Sequence, residues 1–220
     1  MKRILSIVMV SLMIPGLLMG CKALDVVLRQ SRASFVDILE AHPGLIGLSQ
    51  DGRFTTLTVD GSTFFYISLD FSGTNDGDLK MVTPLKPFLD AGLDVTRLDP
   101  VFHTDDQLLT LASEISSVSG SGDSFADALY HAASVDRSLL SYHEELDHFG
   151  MDVATGKLEW AKTYRSNDKD IVFLLPAAPF SEAGADVRKV DGWTLVEMSG
   201  KDGEAMKLLV KPYNLVDPIG

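Results

Sequence analysis

A single cysteine, Cys21, is all the thiol chemistry in this 220-residue chain. One thiol excludes an intrachain disulfide, a CxxC redox pair and a Cys-based zinc site, so stability must come from packing. Clusters of Lys and Arg are missing too. The 19 basic residues face 31 acidic ones, for a formal net charge of −12, and such a surface repels phosphate backbones. Nucleic acid is therefore excluded as a partner. There is no G-x-S-x-G elbow, no phosphate loop with its lysine, and no G-x-G-x-x-G after a strand. No cofactor is implied, and a non-enzymatic role leads.

The one conspicuous apolar run lies at the amino terminus. Lys2 and Arg3 precede Ile4 to Leu18, which carries no charge and is interrupted by Pro15. A run of this length is shorter than the ~20 residues that cross a bilayer, and it follows the plan of a signal peptide. It closes on Leu18-Met19-Gly20-Cys21. These four residues resemble the lipobox of bacterial lipoproteins, with Met19 larger than the residue usual at its position. The resemblance implies cleavage after Gly20, a diacylglycerol thioether on Cys21 and acylation of the freed amine. Two or three acyl chains make a nearly permanent membrane anchor. Lys22 stands where an Asp would signal inner-membrane retention, so the outer membrane is favoured if the source is diderm. Loss of residues 1–20 removes two positive charges and takes the net charge from −12 to −14.

The expected organisation is a signal peptide over 1–20 and two halves, 21–118 and 123–220, forming one compact domain or two small ones. Leu24 to Ala41 lacks Gly and Pro until His42-Pro43-Gly44 and reads as a helix starting close to Cys21. Phe54 to Val59 and Phe64 to Leu69 flank Asp60-Gly61 and read as a β-hairpin. Thr104-Asp105-Asp106 reads as a cap on a helix through Ala112. A second helix is expected from Ser124 to about Phe149, because apolar residues recur every three or four positions. Four further strands are expected around Leu158–Tyr164, Ile171–Leu175, Trp193–Met198 and Met206–Val210. The fold class is α+β with mainly antiparallel sheet.

An internal match runs through this pattern. Pro87 to Asp99 aligns without gaps on Pro179 to Asp191, with seven identities that include Pro, Phe, Ala, Gly and Val. Each copy follows a strand, and each half opens with a helix and a hairpin. The reading is a duplicated α+β unit, with Phe88 and Phe180 buried and Gly92 and Gly184 at positive φ. Asp90, Asp94 and Asp99 recur as Glu182, Asp186 and Asp191. Carboxylates in loops can hold calcium, but turn-making explains acids beside glycine, and the spacing is not that of an EF-hand.

His143-Glu144-Glu145-Leu146-Asp147-His148 is similar to the HExxH of zincins, but its histidines are five apart. On a helix they would sit about 140° apart and could not share one ion. His143 with Asp147, or Glu144 with His148, sits at i and i+4, and His131 or His103 could complete a partial site. The same residues equally suit the polar flank of an amphipathic helix. Two function classes follow. The first is a lipid-anchored, non-enzymatic envelope lipoprotein that binds a ligand or an envelope protein near the membrane. The second is a metal-dependent or hydrolytic envelope enzyme built on the helix around His143.

Overall fold

The computed structural model describes residues 21–59, 63–69, 77–115, 124–143, 147–163, 170–199 and 205–213. The signal segment with Leu18-Met19-Gly20, the Asp60-Gly61 turn and Glu144 lie outside them.

The chain builds the same unit twice. The first comprises helix α1 (Cys21–Ala41), a 3-10 turn (Pro43–Leu45), β1 (Ile46–Leu48), β2 (Phe54–Val59), β3 (Thr63–Ser68), β4 (Leu79–Pro84), α2 (Lys86–Asp90), β5 (His103–Thr104) and β6 (Leu108–Ser113). The second comprises α3 (Phe125–Val135), a 3-10 turn (Arg137–Leu139), β7 (Leu140–His143), β8 (His148–Val153), β9 (Gly156–Ala161), β10 (Ile171–Pro176), α4 (Ala178–Glu182), β11 (Thr194–Ser199) and β12 (Ala205–Tyr213). Each unit forms a six-stranded antiparallel sheet, in the order β1-β2-β3-β4-β6-β5 and β7-β8-β9-β10-β12-β11. Element for element, the two orders are identical, and the fold is α+β with a duplicated unit.

The strands alternate as a half-buried sheet requires. In β3, Phe65 and Ile67 are buried while Phe64 and Tyr66 are half-buried. In β9, Leu158 and Trp160 join the core while Glu159 takes the other face. The two long helices pack on the opposite unit's sheet: α1 on β9, and α3 on β2 and β3. Phe35 of α1 meets Trp160 with ring centroids 5.0 Å apart, and Phe125 of α3 meets Phe65 at 6.1 Å. The Trp160 indole N–H donates to the Ser31 carbonyl at 3.1 Å and to Ser34 Oγ at 3.2 Å, so its one polar atom is satisfied inside the core. One continuous apolar core therefore runs through both units.

The repeated Pro-Phe-x-x-Ala-Gly motifs meet across an approximate two-fold axis. The Asp94 amide donates to the Ala183 carbonyl at 2.9 Å, and the Asp186 amide donates to the Ala91 carbonyl at 2.8 Å. Phe88 and Phe180 are fully buried, and Gly92 and Gly184 have φ of 95° and 100°. Proline lies in the first turn of each short helix, and a left-handed glycine follows its C-cap.

Two stretches differ from the sequence reading. Residues 104–112 form no helix but the strands β5 and β6; β5 pairs with β6, and β6 pairs with β4 from Pro84–Leu108 through to Leu79–Ser113. The capping signal was real but local: the Asp105 carboxylate accepts the Gln107 and Leu108 amides at 2.8 and 2.7 Å, a turn that introduces a strand. The helix from Ser124 ends at Val135 rather than near Phe149. Asp136 turns the chain by accepting the Ser138 amide at 3.0 Å, and β7 and β8 follow.

Candidate functional site

His143 ends one strand and His148 begins another, which corrects their placement on a helix. His143 and His148 are cross-strand partners on β7 and β8. Paired strands bring opposite side chains together where a helix would have separated them. Between them lies Glu159 of β9, only 2% exposed: its Oε1 is 3.5 Å from His143 Nδ1 and its Oε2 is 3.7 Å from His148 Nδ1. Gly150 leaves the room this needs, because a Cβ there would lie 3.3 Å from Glu159 Cγ and 2.9 Å from Ser141 Oγ.

These separations are longer than hydrogen bonds. His148 Nδ1 and Glu159 Oε2 are buried with no hydrogen-bond partner among the described residues. Two imidazoles thus face one buried carboxylate. Glu159 is the member that helix-based reasoning missed; its signal was the alternation in Leu158-Glu159-Trp160.

The other candidate ligands are placed as follows. Asp147 takes a left-handed φ of 54° in the hairpin, accepts a hydrogen bond from the Tyr142 hydroxyl and lies 3.4 Å from Lys162 Nζ. That carboxylate holds the Tyr142 hydroxyl above its ordinary range, and the Tyr142 hydrogen bond, with Asp147 behind it, raises Lys162. His103 sits exposed on β5 of the first sheet, and His131 sits on α3. Among the described residues, no group of three or more His, Cys, Asp or Glu is arranged to hold a metal ion.

The recurring acids of the two-fold motif serve the backbone. Asp94 accepts the Thr96 hydroxyl at 2.7 Å and its amide at 3.0 Å, which lowers its carboxyl below the usual range. Asp186 pairs with Lys189 at 2.9 Å and accepts the Arg188 amide at 3.3 Å, with the same consequence. Asp99 accepts the Val101 amide at 2.9 Å.

A second site lies on the outer face of the first sheet. An open groove of about 650 Å³ runs over Phe54, Tyr66, Lys80, Val82, Leu108 and Thr110, with Ser49 to Asp51 at its rim. Lys80 Nζ stands 4.6 Å from the Phe54 ring centroid and the Arg53 guanidinium 5.9 Å from it, while Tyr66 packs edge-on against Phe54 at 6.1 Å. Burial raises the Tyr66 hydroxyl. The Asp51 carboxylate is occupied by the Ser49 hydroxyl at 2.5 Å and the Arg53 amide at 3.1 Å, which lower it. No protein-family model, curated protein or solved structure matches the chain.

Proposed function

We propose that the chain is a lipid-anchored lipoprotein of the bacterial cell envelope that binds a ligand or an envelope partner near the membrane without catalysis. One observation carries the reading: Leu18-Met19-Gly20-Cys21 stands directly behind a positive n-region and an uncharged apolar run. α1 already includes Cys21, which supports a short tether, and the groove on the first sheet offers a surface for a ligand. Among the described residues no helix is long and apolar enough to cross a membrane. Lys22 favours the outer membrane in a diderm host.

The test is Cys21→Ser in the native host with radiolabelled palmitate. The wild type is expected to take up label and pellet with membranes, and the variant to lose both. A variant that still labels and pellets overturns the reading. The alternative, a metal-dependent or hydrolytic enzyme, loses its helix around His143 and keeps the grouping of His143, His148 and Glu159. Metal content of the purified protein separates the two: a stoichiometric metal that His143→Ala or His148→Ala removes would favour the enzyme.

A further inference from the structure

The duplicated unit carries its own control, because the central strands β2, β3 and β4 match β8, β9 and β10 in length and register. The strand registers equate the cross-strand pair Tyr66–Lys80 with Glu159–Val172, and Phe64–Val82 with Lys157–Leu174. Phe54 likewise corresponds to His148, since each begins its strand opposite the last residue of the next. The second sheet thus fills the place of the lysine with Val172 and the place of the tyrosine with a carboxylate. Nothing in the fold demands an aromatic floor with a lysine beside it, yet the first sheet has both, and they line an open groove.

From this geometry we infer that the groove binds a small amphipathic anion, its carboxylate on Lys80 and its apolar body on Phe54, Tyr66, Val82 and Leu108. Charge complementarity selects the ligand. On a protein of net charge −12, two cations, Lys80 and Arg53, flank one aromatic ring. Among the described residues that line the groove, the one carboxylate, Asp51, is already turned onto Ser49 Oγ and the Arg53 amide. Among the described residues no carboxylate pairs with Lys80, so its ammonium is available to a bound anion. A partly apolar setting strengthens such a charge-assisted bond. Thr110 at the margin can donate to the second carboxylate oxygen.

This inference deepens the ligand-binding part of the proposed function and is independent of the lipid anchor. The test uses the full chain in non-ionic detergent and three probes of one shape: phenylacetate, phenylacetamide and phenethylamine, followed by ligand-observed NMR titration. Phenylacetate is expected to saturate a single site at millimolar concentration, and the neutral and cationic probes to bind about tenfold weaker or not at all. Lys80→Met is expected to weaken phenylacetate by about tenfold while far-ultraviolet circular dichroism stays unchanged, and Lys80→Arg to retain most of the binding. Equal binding of phenylacetamide, full affinity in Lys80→Met, or no phenylacetate binding would overturn the inference. Palmitate labelling of the same preparation reports the anchor separately, so failure of one leaves the other standing.

Discussion

Phe88 and Phe180 pack with ring centroids 4.7 Å apart, and each also meets an aromatic residue that leads into the edge strand of the opposite unit: Phe88 meets Trp193 at 5.9 Å and Phe180 meets Phe102 at 4.9 Å. The four rings form the centre of the two-fold contact. Phe88→Ala and Phe180→Ala are each expected to destabilise by about 3–5 kcal/mol through lost burial and the cavity left behind. Because the two rings share neighbours, the double variant should lose less than the sum of the singles. Chemical denaturation of the four proteins measures this; strict additivity would mean that the rings do not support each other.

Gly92 and Gly184 are the tightest backbone constraint at that contact. A Cβ on either would stand 3.4 Å from the other's carbonyl oxygen, an ordinary contact, so the penalty lies in φ of 95° and 100°. Gly92→Ala or Gly184→Ala is expected to cost about 1–2 kcal/mol. Thermal unfolding with no loss in either variant would show that the turns relax freely.

Ala154 presents the opposite case, a non-glycine residue at φ 49° in the turn between β8 and β9, its amide donating to Ser113 Oγ at 2.6 Å. Ala154→Gly relieves the left-handed strain while loosening the unfolded chain, for a net gain of about 0.5–1 kcal/mol. A fall in stability would show that the turn is not strained.

Much of this was legible in the sequence, and the reason is local chemistry. The hairpin of β2 and β3 follows from β-branched and aromatic residues, and the repeated Pro-Phe-x-x-Ala-Gly motif specified its turns and its buried phenylalanines. The failures are strands whose identity comes from a partner far along the chain. Leu108 to Ser113 has only a short apolar run, and its pairing with β4 decides between helix and strand. From Leu139 to Phe149 apolar residues spaced three or four apart happened to fit a helix, and the turn at Asp136 broke it. The crossing of α1 and α3 onto opposite sheets has no sequence signal at all, nor has the gathering of Glu159 with the two histidines.

Asp127 links α1 to α3 and gives the pH prediction. It accepts Ser124 Oγ at 2.7 Å and Arg32 Nε at 2.9 Å, while its own amide donates to Ser124 Oγ at 3.2 Å. The serine hydroxyl first, and then the arginine, hold the carboxyl below its ordinary value. A carboxyl lowered on folding stabilises fully above its unfolded pKa of about 3.9, and that contribution is lost as pH falls through the lower folded value. Asp127→Asn should therefore be less stable at pH 7, by no more than about 1 kcal/mol because the pair is largely solvated. Below about pH 4 the difference should close. Urea midpoints at several pH values test it; a gap that persists in acid would contradict the assignment.

The central functional claim is that Cys21 becomes a lipidated amino terminus. Intact-mass spectrometry of the protein extracted from membranes of its native host measures this directly. The expected species begins at Cys21 and carries the added mass of diacylglycerol, with or without a further acyl chain. An unmodified chain, or one that begins at any other residue, would contradict it.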